Sequence, residues 1–317
     1  MKTAVLIPCY NEELTIGKVV RDFKEVLPHA EIYVYDNNST DKTAEVARDA
    51  GAMVKREYRQ GKGNVIRSMF HDIEADCYIM VDGDDTYPAS FAPEFERLIL
   101  EGRADMVVGD RLSSSYFEEN KRLFHNGGNR LVRDMINLLF RTNLKDIMSG
   151  ARAFSHTFVK SCPIVCKGFE IETEMTIFAL EHNFNIVEKT ISYQDRPDGS
   201  VSKLNTISDG LKVLNTIVKL YSQTKPIQVF SSLSAVSFLG GIGLIYSGRY
   251  KKYQITETTG TVIENIGIMK ILIGMTMLSA GVISFFTGVV LGILNRIWKQ
   301  DFEYKRNLTD SEKSLTK

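Results

Sequence analysis

Two long stretches near the C-terminus contain no charged residue, and they constrain the fold more than any other feature of the sequence. They run from Ile227 to Gly248 and from Ile271 to Asn295. Because a helix rises about 1.5 Å per residue, each stretch is long enough to cross a hydrocarbon core of about 30 Å. A pair of buried core helices is the alternative, but helices in globular cores rarely stay free of charge for so long. The sequence therefore predicts two membrane-spanning helices.

Charge and cysteine content exclude several classes of protein. The 317 residues include 39 basic and 39 acidic side chains, so the formal net charge is zero. A strongly basic nucleic-acid binder is therefore excluded, and we expect no nucleic acid among the partners. Four scattered cysteines are too few for a disulfide scaffold in a chain of this length.

The orientation of the predicted spans follows from weaker signals. Lysines and arginines precede the first span, lie between the spans and follow the second, so the positive-inside rule favours cytoplasmic termini only slightly. The N-terminus MKTAVLIPCYNEE has a short apolar run followed by acids, which is unlike a signal peptide. We expect an integral protein of the plasma or inner membrane with two spans and with both termini in the cytoplasm.

The first 200 or so residues alternate between short apolar strands and amphipathic helices. Strands are predicted at Thr3–Ile7, Glu31–Tyr35, Ala52–Arg56, Tyr78–Val81 and Met106–Val108. Helices are predicted at Leu14–Leu27, Asp41–Ala50, Asn64–Ile73 and Phe91–Leu100. This alternation predicts an α/β domain with a mostly parallel, doubly wound sheet, in which ligands bind beyond the C-terminal ends of the strands.

The strongest chemical signal follows the fourth predicted strand, in the sequence Asp82-Gly83-Asp84-Asp85. Carboxylate oxygens are the ligands that Mg²⁺ or Mn²⁺ prefers, and such an ion can bridge the phosphates of a bound nucleotide. An isolated Asp-x-Asp is common in turns. Its place directly after a buried strand, with a glycine that allows close approach of the backbone, favours a metal and nucleotide site.

Two further polar segments follow the first and second predicted strands. They are Ile7-Pro8-Cys9-Tyr10-Asn11-Glu12-Glu13 and Asp36-Asn37-Asn38-Ser39-Thr40-Asp41. Tyr10 is able to stack on a base, and Asn11 and Glu12 offer hydrogen-bond partners for a ribose or a base. Each segment alone is equally well explained as a capped loop before a helix. Three such loops at one sheet edge are harder to explain as turns alone.

Between the α/β region and the first span, apolar residues recur at helical spacing. Leu204, Ile207, Leu211, Leu214, Val218 and Tyr221 fall on one stripe of a helix. This pattern favours an amphipathic helix lying in the membrane interface, with Lys212 and Lys219 directed toward anionic head groups. A core helix packed on the α/β domain is the alternative.

The order and spacing of the motifs resemble those of the family 2 glycosyltransferases of the GT-A fold. The motifs are IPCYNEE, YDNNSTDKT, GKGNVIR, MVDGDDTYP, VVGDRL, DIMSGARAFS, GFEIETEM and DRPDGSVSKLN, within residues 1–205. Within this family the likeness is to the dolichyl-phosphate mannose synthases and, with the two C-terminal spans, to the bacterial bactoprenol glucosyltransferases. Thr86 replaces a glutamine that the mannose synthases often carry. The segment from Arg196 to Lys203 is one residue longer than their corresponding motif. Both differences weaken an assignment to mannose.

The resemblance implies an inverting transfer of one sugar from a UDP- or GDP-sugar to a polyprenyl phosphate, such as undecaprenyl or dolichyl phosphate. It also implies the residues that bind the nucleotide sugar: Pro8, Tyr10, Asn11, Glu12, Asp36, Asn38, Lys62, Asp82, Gly83 and Asp84. Asp82 and Asp84 would hold Mg²⁺ or Mn²⁺. A homo-oligomer is expected from relatives.

A phosphate monoester is ionised near neutral pH, so the acceptor needs orientation and charge neutralisation more than a strong base. Arg111, Arg122 and Arg152 are the candidates for the acceptor phosphate, with a surface ion pair as the alternative for each. Three further candidates for catalysis are Lys203, for the leaving diphosphate, Asp146, for a base or acceptor-positioning role, and Glu174, for the donor sugar or the fold.

The predicted organisation has four parts. Residues 1–203 form a cytoplasmic GT-A domain, residues 204–225 a juxtamembrane helix, residues 226–296 a two-helix hairpin and residues 297–317 a cytoplasmic tail. The rival functions are a synthase that extends a polysaccharide and a non-catalytic membrane scaffold that kept the fold.

Overall fold

The computed structural model describes residues 1–113, 123–197, 199–200, 203, 206–252 and 260–315. These residues divide into two compact units, Met1–Leu220 and Tyr221–Lys317. The boundary lies inside a helix, Thr206–Thr224. The first unit contains the α/β domain, and the second contains the two long apolar helices.

The first unit is built on a seven-stranded sheet with the order β3-β2-β1-β4-β6-β5-β7. The strands are β1 Thr3–Cys9, β2 Glu31–Asp36, β3 Met53–Arg56, β4 Cys77–Met80, β5 Met106–Asp110, β6 Arg152–Ser155 and β7 Ile186–Thr190. Strand β1 pairs in parallel with β2 and β4, whereas β6 runs antiparallel to β4 and β5. The predicted mostly parallel α/β sheet is confirmed.

The helices of the first unit bury apolar residues in its core clusters. They are α1 Ile16–Val26, α2 Thr43–Asp49, α3 Lys62–Asp72, α4 Ala92–Leu100, α5 Leu123–Phe140, α6 His156–Ser161, α7 Ile171–Glu181 and α8 Thr206–Thr224. In α1, for example, Ile16, Val20 and Phe23 are buried in the same core as Val5 and Ile7 of β1. The core therefore fixes the positions of the loops at the C-terminal ends of β1, β2 and β4.

Helix α8 packs in the first unit through a face that includes Leu214 of the predicted stripe and two residues outside the stripe. Val213 and Ile217 are buried in a cluster with Val132, Ile136 and other apolar residues. Leu211 and Val218, which belong to the predicted stripe, are 63% and 61% exposed. One face of α8 is thus a core face, as in the alternative prediction, while an apolar edge remains on the surface.

The second unit is a hairpin of α9 Pro226–Lys252 and α10 Gly260–Leu315. Segments Pro226–Arg249 and Gly267–Asn307 are long and apolar enough to be candidate membrane spans. The two helices pack through small residues at every seventh position, Ser234, Gly241 and Gly248 on α9 and Gly267, Gly274, Gly281 and Gly288 on α10. A Cβ on Gly274 would lie 2.7 Å from the carbonyl oxygen of Gly241, so this seam leaves no space for side chains.

Candidate active site

Three loops at the C-terminal ends of β1, β2 and β4 are joined by hydrogen bonds. The backbone N–H of Asn11 donates to Ser39 Oγ (2.9 Å), and Asn11 Oδ1 accepts from the N–H of Thr40 (2.8 Å). Thr15 Oγ1, at the start of α1, donates to the carbonyl oxygen of Gly83 (2.7 Å). The polar segments that follow three separate strands therefore form one site.

Lys62 connects the Asp-Gly-Asp turn to helix α7. Its Nζ lies 2.5 Å from Asp82 Oδ1 and 2.6 Å from Glu172 Oε1. Burial acts to lower the pKa of Lys62, but the charges of Asp82 and Glu172 outweigh it and raise that pKa. Lys62 therefore stays charged and fixes one oxygen of Asp82. Gly150 faces the Asp82 carboxylate, and a side chain there would collide with it.

Asp84 and Glu12 face two cationic side chains from the segment after β7. Arg196 Nη2 lies 2.5 Å from Asp84 Oδ2, and Arg196 Nη1 lies 3.3 Å from Glu12 Oε1. Lys203 Nζ lies 2.8 Å from Glu12 Oε1. Burial raises the pKa of Asp84, the charge of Asp82 raises it further, and Arg196 opposes both. Burial likewise raises the pKa of Glu12, against the effect of Lys203 and Arg196.

The other predicted nucleotide residues border the same loops. Pro8 is half-buried at the end of β1, and Tyr10 is exposed at 38%. Asp36 is buried at the end of β2, where its Oδ1 accepts from the N–H of Ser39 (3.2 Å). Asn38 has a φ of 63° and donates to the carbonyl oxygen of Tyr58 (2.9 Å). Tyr10 is the aromatic ring of this loop that solvent reaches.

Arg111 and Asp146 form a buried pair at the end of β5. Arg111 Nε donates to Asp146 Oδ2 (2.8 Å) and Nη2 donates to Oδ1 (3.1 Å), while the backbone N–H of Arg111 also reaches Oδ2 (3.2 Å). The guanidinium carbon lies 5.9 Å from the ring centre of Tyr87 and 5.8 Å from that of Tyr193. Both predicted residues are thus brought together, and Asp146 serves as the partner of Arg111.

Two predicted catalytic residues have internal partners instead of a cleft position. Arg152 is fully buried and donates to the carbonyl oxygens of Ser149 (2.9 Å) and Ile147 (2.6 Å) and to Thr176 Oγ1 (2.9 Å). Glu174 accepts from the backbone N–H groups of the loop before α7, including that of Cys166 (3.0 Å). In this geometry the Arg152 guanidinium is bound by internal acceptors, and Glu174 holds the loop before α7.

Arg122, the remaining predicted phosphate ligand, lies outside the described residues. Arg196 and Glu172, by contrast, were not among the predicted site residues although the structure places them in the site. Arg196 belongs to the motif DRPDGSVSKLN, which is visible in the sequence. Glu172 and Glu174 differ only in the direction in which their side chains leave helix α7, and the sequence does not show that difference.

The donor set fits a hard divalent cation. Asp82 and Asp84 present carboxylates at the end of a buried strand, and each faces a cationic side chain in this structure. Among the described residues, no three His, Cys, Asp or Glu side chains converge as a complete metal site. Two carboxylates suit Mg²⁺, because this ion commonly keeps waters and takes substrate phosphates as its remaining ligands.

Residues 4–162 match the family model for glycosyl transferase family 2. The chain belongs to this family. Glycosyltransferase AglJ of Haloferax volcanii is 32% identical over 281 residues, which cover 88% of this chain and 91% of AglJ. The dolichyl-phosphate hexose transferase of the same organism is 28% identical over 217 residues, covering 68% of this chain and 92% of that protein. The chain is therefore a glycosyltransferase.

One solved structure with the same fold contains bound ligands. It is the glucosyl-3-phosphoglycerate synthase of Mycobacterium tuberculosis in complex with Mn²⁺, UDP and glucosyl-3-phosphoglycerate. The TM-score is 0.59 at 20% sequence identity, over 70% of this chain and 80% of that one. At this identity the likeness establishes the GT-A fold of the family 2 domain.

Proposed function

We propose that this glycosyltransferase moves a single sugar, with inversion, from a UDP- or GDP-sugar to a polyprenyl phosphate such as undecaprenyl or dolichyl phosphate. The observation that carries the proposal is the carboxylate pair Asp82 and Asp84 at the end of β4. The turn between them accepts a hydrogen bond from Thr15 after β1, and the loop after β1 is in turn bonded to the loop after β2. The similarity to a dolichyl-phosphate hexose transferase supports the acceptor. So do the two candidate spans, because a polyprenyl phosphate keeps its phosphate at a membrane surface.

The reaction joins a phosphate oxygen of the acceptor to the anomeric carbon of the sugar. The bond from that carbon to the nucleoside diphosphate breaks, and the diphosphate leaves with the bonding electrons. Because the acceptor phosphate is already ionised near neutral pH, it needs no strong general base. The protein's task is to hold two anionic substrates together, and positively charged side chains at fixed positions do this best.

The donor end of the site contains the residues for this task. Asp82 and Asp84 would hold Mg²⁺ or Mn²⁺, which neutralises the charge of the donor diphosphate when it is bound. Lys62 keeps Asp82 in place through its contact with Glu172. The exposed ring of Tyr10 is available for stacking on the base.

Arg111 is the described arginine that best fits the acceptor phosphate. Asp146 and the rings of Tyr87 and Tyr193 restrict its guanidinium, so little conformational entropy is lost on binding a phosphate. Asp146 therefore orients Arg111 and does not act as a base. Arg122 remains a second candidate, and Lys203 a candidate for the leaving diphosphate.

We place the enzyme in the plasma or inner membrane, with α9 and α10 as spans and with the catalytic domain and both termini in the cytoplasm, where nucleotide sugars are made. The lysines at 212, 219 and 225 precede the first span, and their side chains suit anionic head groups. We also propose that the protein forms a homo-oligomer within the membrane.

The test is a donor screen with the purified full chain, Mg²⁺, radiolabelled UDP- and GDP-sugars and polyprenyl phosphate. We expect one donor to give a chloroform-soluble product that contains one sugar per lipid. Label that appears only in a growing polysaccharide would favour the synthase alternative. A folded protein that labels no acceptor with any donor would favour the non-catalytic scaffold.

A further inference from the structure

The segment after β7 lies along the turn that carries Asp84. The backbone N–H of Gln194 donates to the carbonyl oxygen of Thr86 (3.1 Å), and Gln194 Nε2 donates to that of Asp85 (2.7 Å). Farther along, Lys203 Nζ donates to the carbonyl oxygen of Asn11 (2.6 Å). We name the described residues of this segment, 194–197, 199–200 and 203, the strap. Its described residues bind the turn after β4 at one end and the loop after β1 at the other.

Arg196 of the strap engages the oxygen of Asp84 that a metal would need. Asp84 Oδ1 already accepts from Thr86 Oγ1 (2.7 Å) and from the N–H of Thr86 (3.2 Å). Asp84 Oδ2 lies 2.5 Å from Arg196 Nη2, and the carboxylate is only 9% exposed. A divalent cation at Oδ2 would stand within a few ångströms of the positively charged guanidinium, so the cation and Arg196 compete for this carboxylate.

We infer that Arg196 is an internal competitor of the divalent cation at Asp84, so that metal binding and displacement of the strap are one event. The inference rests on the proposed function, in that Asp84 is taken as a metal ligand. It adds a positioning role for Arg196: while it pairs with Asp84, the guanidinium neutralises that carboxylate and ties the strap to the site. Metal binding then frees that guanidinium beside Glu12, where it is available to an anionic substrate.

The size of the effect follows from a simple equilibrium. The apparent dissociation constant of the metal equals the intrinsic one divided by the fraction of molecules whose Asp84 Oδ2 is accessible. If Arg196 leaves Oδ2 in about one molecule in ten, removing the guanidinium tightens metal binding about tenfold. The 2.5 Å distance between Arg196 Nη2 and Asp84 Oδ2 and the low exposure of Asp84 both favour a small fraction of molecules with an accessible Oδ2.

The experiment measures Mn²⁺ binding to the full-length protein in detergent by the EPR signal of free Mn²⁺, with no sugar donor or lipid present. Arg196→Gln should bind Mn²⁺ about tenfold more tightly than the wild type. Asp84→Asn should lose this binding. Circular dichroism and thermal melting confirm that each variant is folded.

Lys203→Gln is the matched control, because it removes one positive charge that contacts Glu12 and not Asp84. It should tighten Mn²⁺ binding by less than about threefold, because it changes only the electrostatic potential around the site and removes no direct partner of Asp84. Equal tightening in Lys203→Gln and Arg196→Gln, an unchanged affinity in Arg196→Gln, or full Mn²⁺ binding by Asp84→Asn would each overturn the inference. Since no transfer is measured, these outcomes are independent of which acceptor the enzyme uses.

Discussion

The buried pair of Arg111 and Asp146 gives the most discriminating prediction about the site. Their side chains are 9% and 1% exposed, so replacing either partner leaves the other charge buried and unpaired. Breaking such a pair costs about 3–5 kcal/mol. At roughly 2–4 °C per kcal/mol for a domain of this size, Asp146→Asn and Arg111→Met should each lower the melting temperature by about 10 °C.

The double variant Arg111→Met with Asp146→Asn should recover a large part of that loss, because no unpaired charge remains. Asp146 accepts from the backbone N–H groups of residue 111 and Met148 with separate oxygens, so the single asparagine oxygen keeps one of these two hydrogen bonds and the recovery stays incomplete. Thermal melting of the four proteins gives the coupling energy of the pair. Transfer should nevertheless stay low in the double variant, because the phosphate-binding guanidinium is gone.

Two results would refute this reasoning. If the double variant is destabilised by the sum of the single effects, the two side chains are not energetically coupled. If Asp146→Asn melts like the wild type but loses transfer with an altered pH profile, Asp146 acts as a base and does not anchor Arg111.

Three further predictions concern the hairpin, the pH response and the donor end. Gly274→Leu should destabilise the hairpin by about 1–3 kcal/mol in thermal melting, whereas Gly243→Leu, with open space around its Cα, should be harmless. The Arg59 guanidinium beside Glu57 holds the pKa of that carboxyl at about 2, so its stabilisation is present above pH 4.5 and is lost toward pH 2. Glu57→Gln should therefore lower the melting temperature at neutral pH, and the difference from the wild type should shrink below pH 4.5. Glu172→Gln leaves Lys62 with Asp82 alone and makes the site more positive, so transfer should require several-fold more Mg²⁺, which a metal titration will show.

The sequence was sufficient for the elements whose pattern is local. The five predicted strands and four predicted helices are present with ends shifted by a few residues, because apolar runs and helical periodicity identify them directly. Strands β6 and β7 were not predicted. Strand β6 begins with Arg152, a charged residue whose burial the sequence does not reveal. Strand β7 has the sequence Ile-Val-Glu-Lys-Thr, and most of its side chains are half-buried. Neither strand therefore shows a clear apolar pattern.

The residues missed in the site depend on contacts that are distant in sequence. Arg196 meets Glu12 across 184 positions, and Glu172 meets Lys62 across 110. Glu172 and Glu174 are two residues apart on α7, so their side chains point in different directions: the first reaches Lys62 and the second binds the preceding loop. Only the folded chain distinguishes them.

The central claim is that Asp84 holds the metal at which the sugar donor binds, and its most direct test compares two neighbouring aspartates. Asp85 has a φ of 59°, a conformation that asparagine also adopts, and it pairs with Lys18 instead of facing Arg196. With Mg²⁺ and the identified donor, we predict that Asp84→Asn abolishes transfer of label to polyprenyl phosphate while Asp85→Asn retains most of it. A folded Asp84→Asn enzyme that transfers sugar at the wild-type rate would contradict the account.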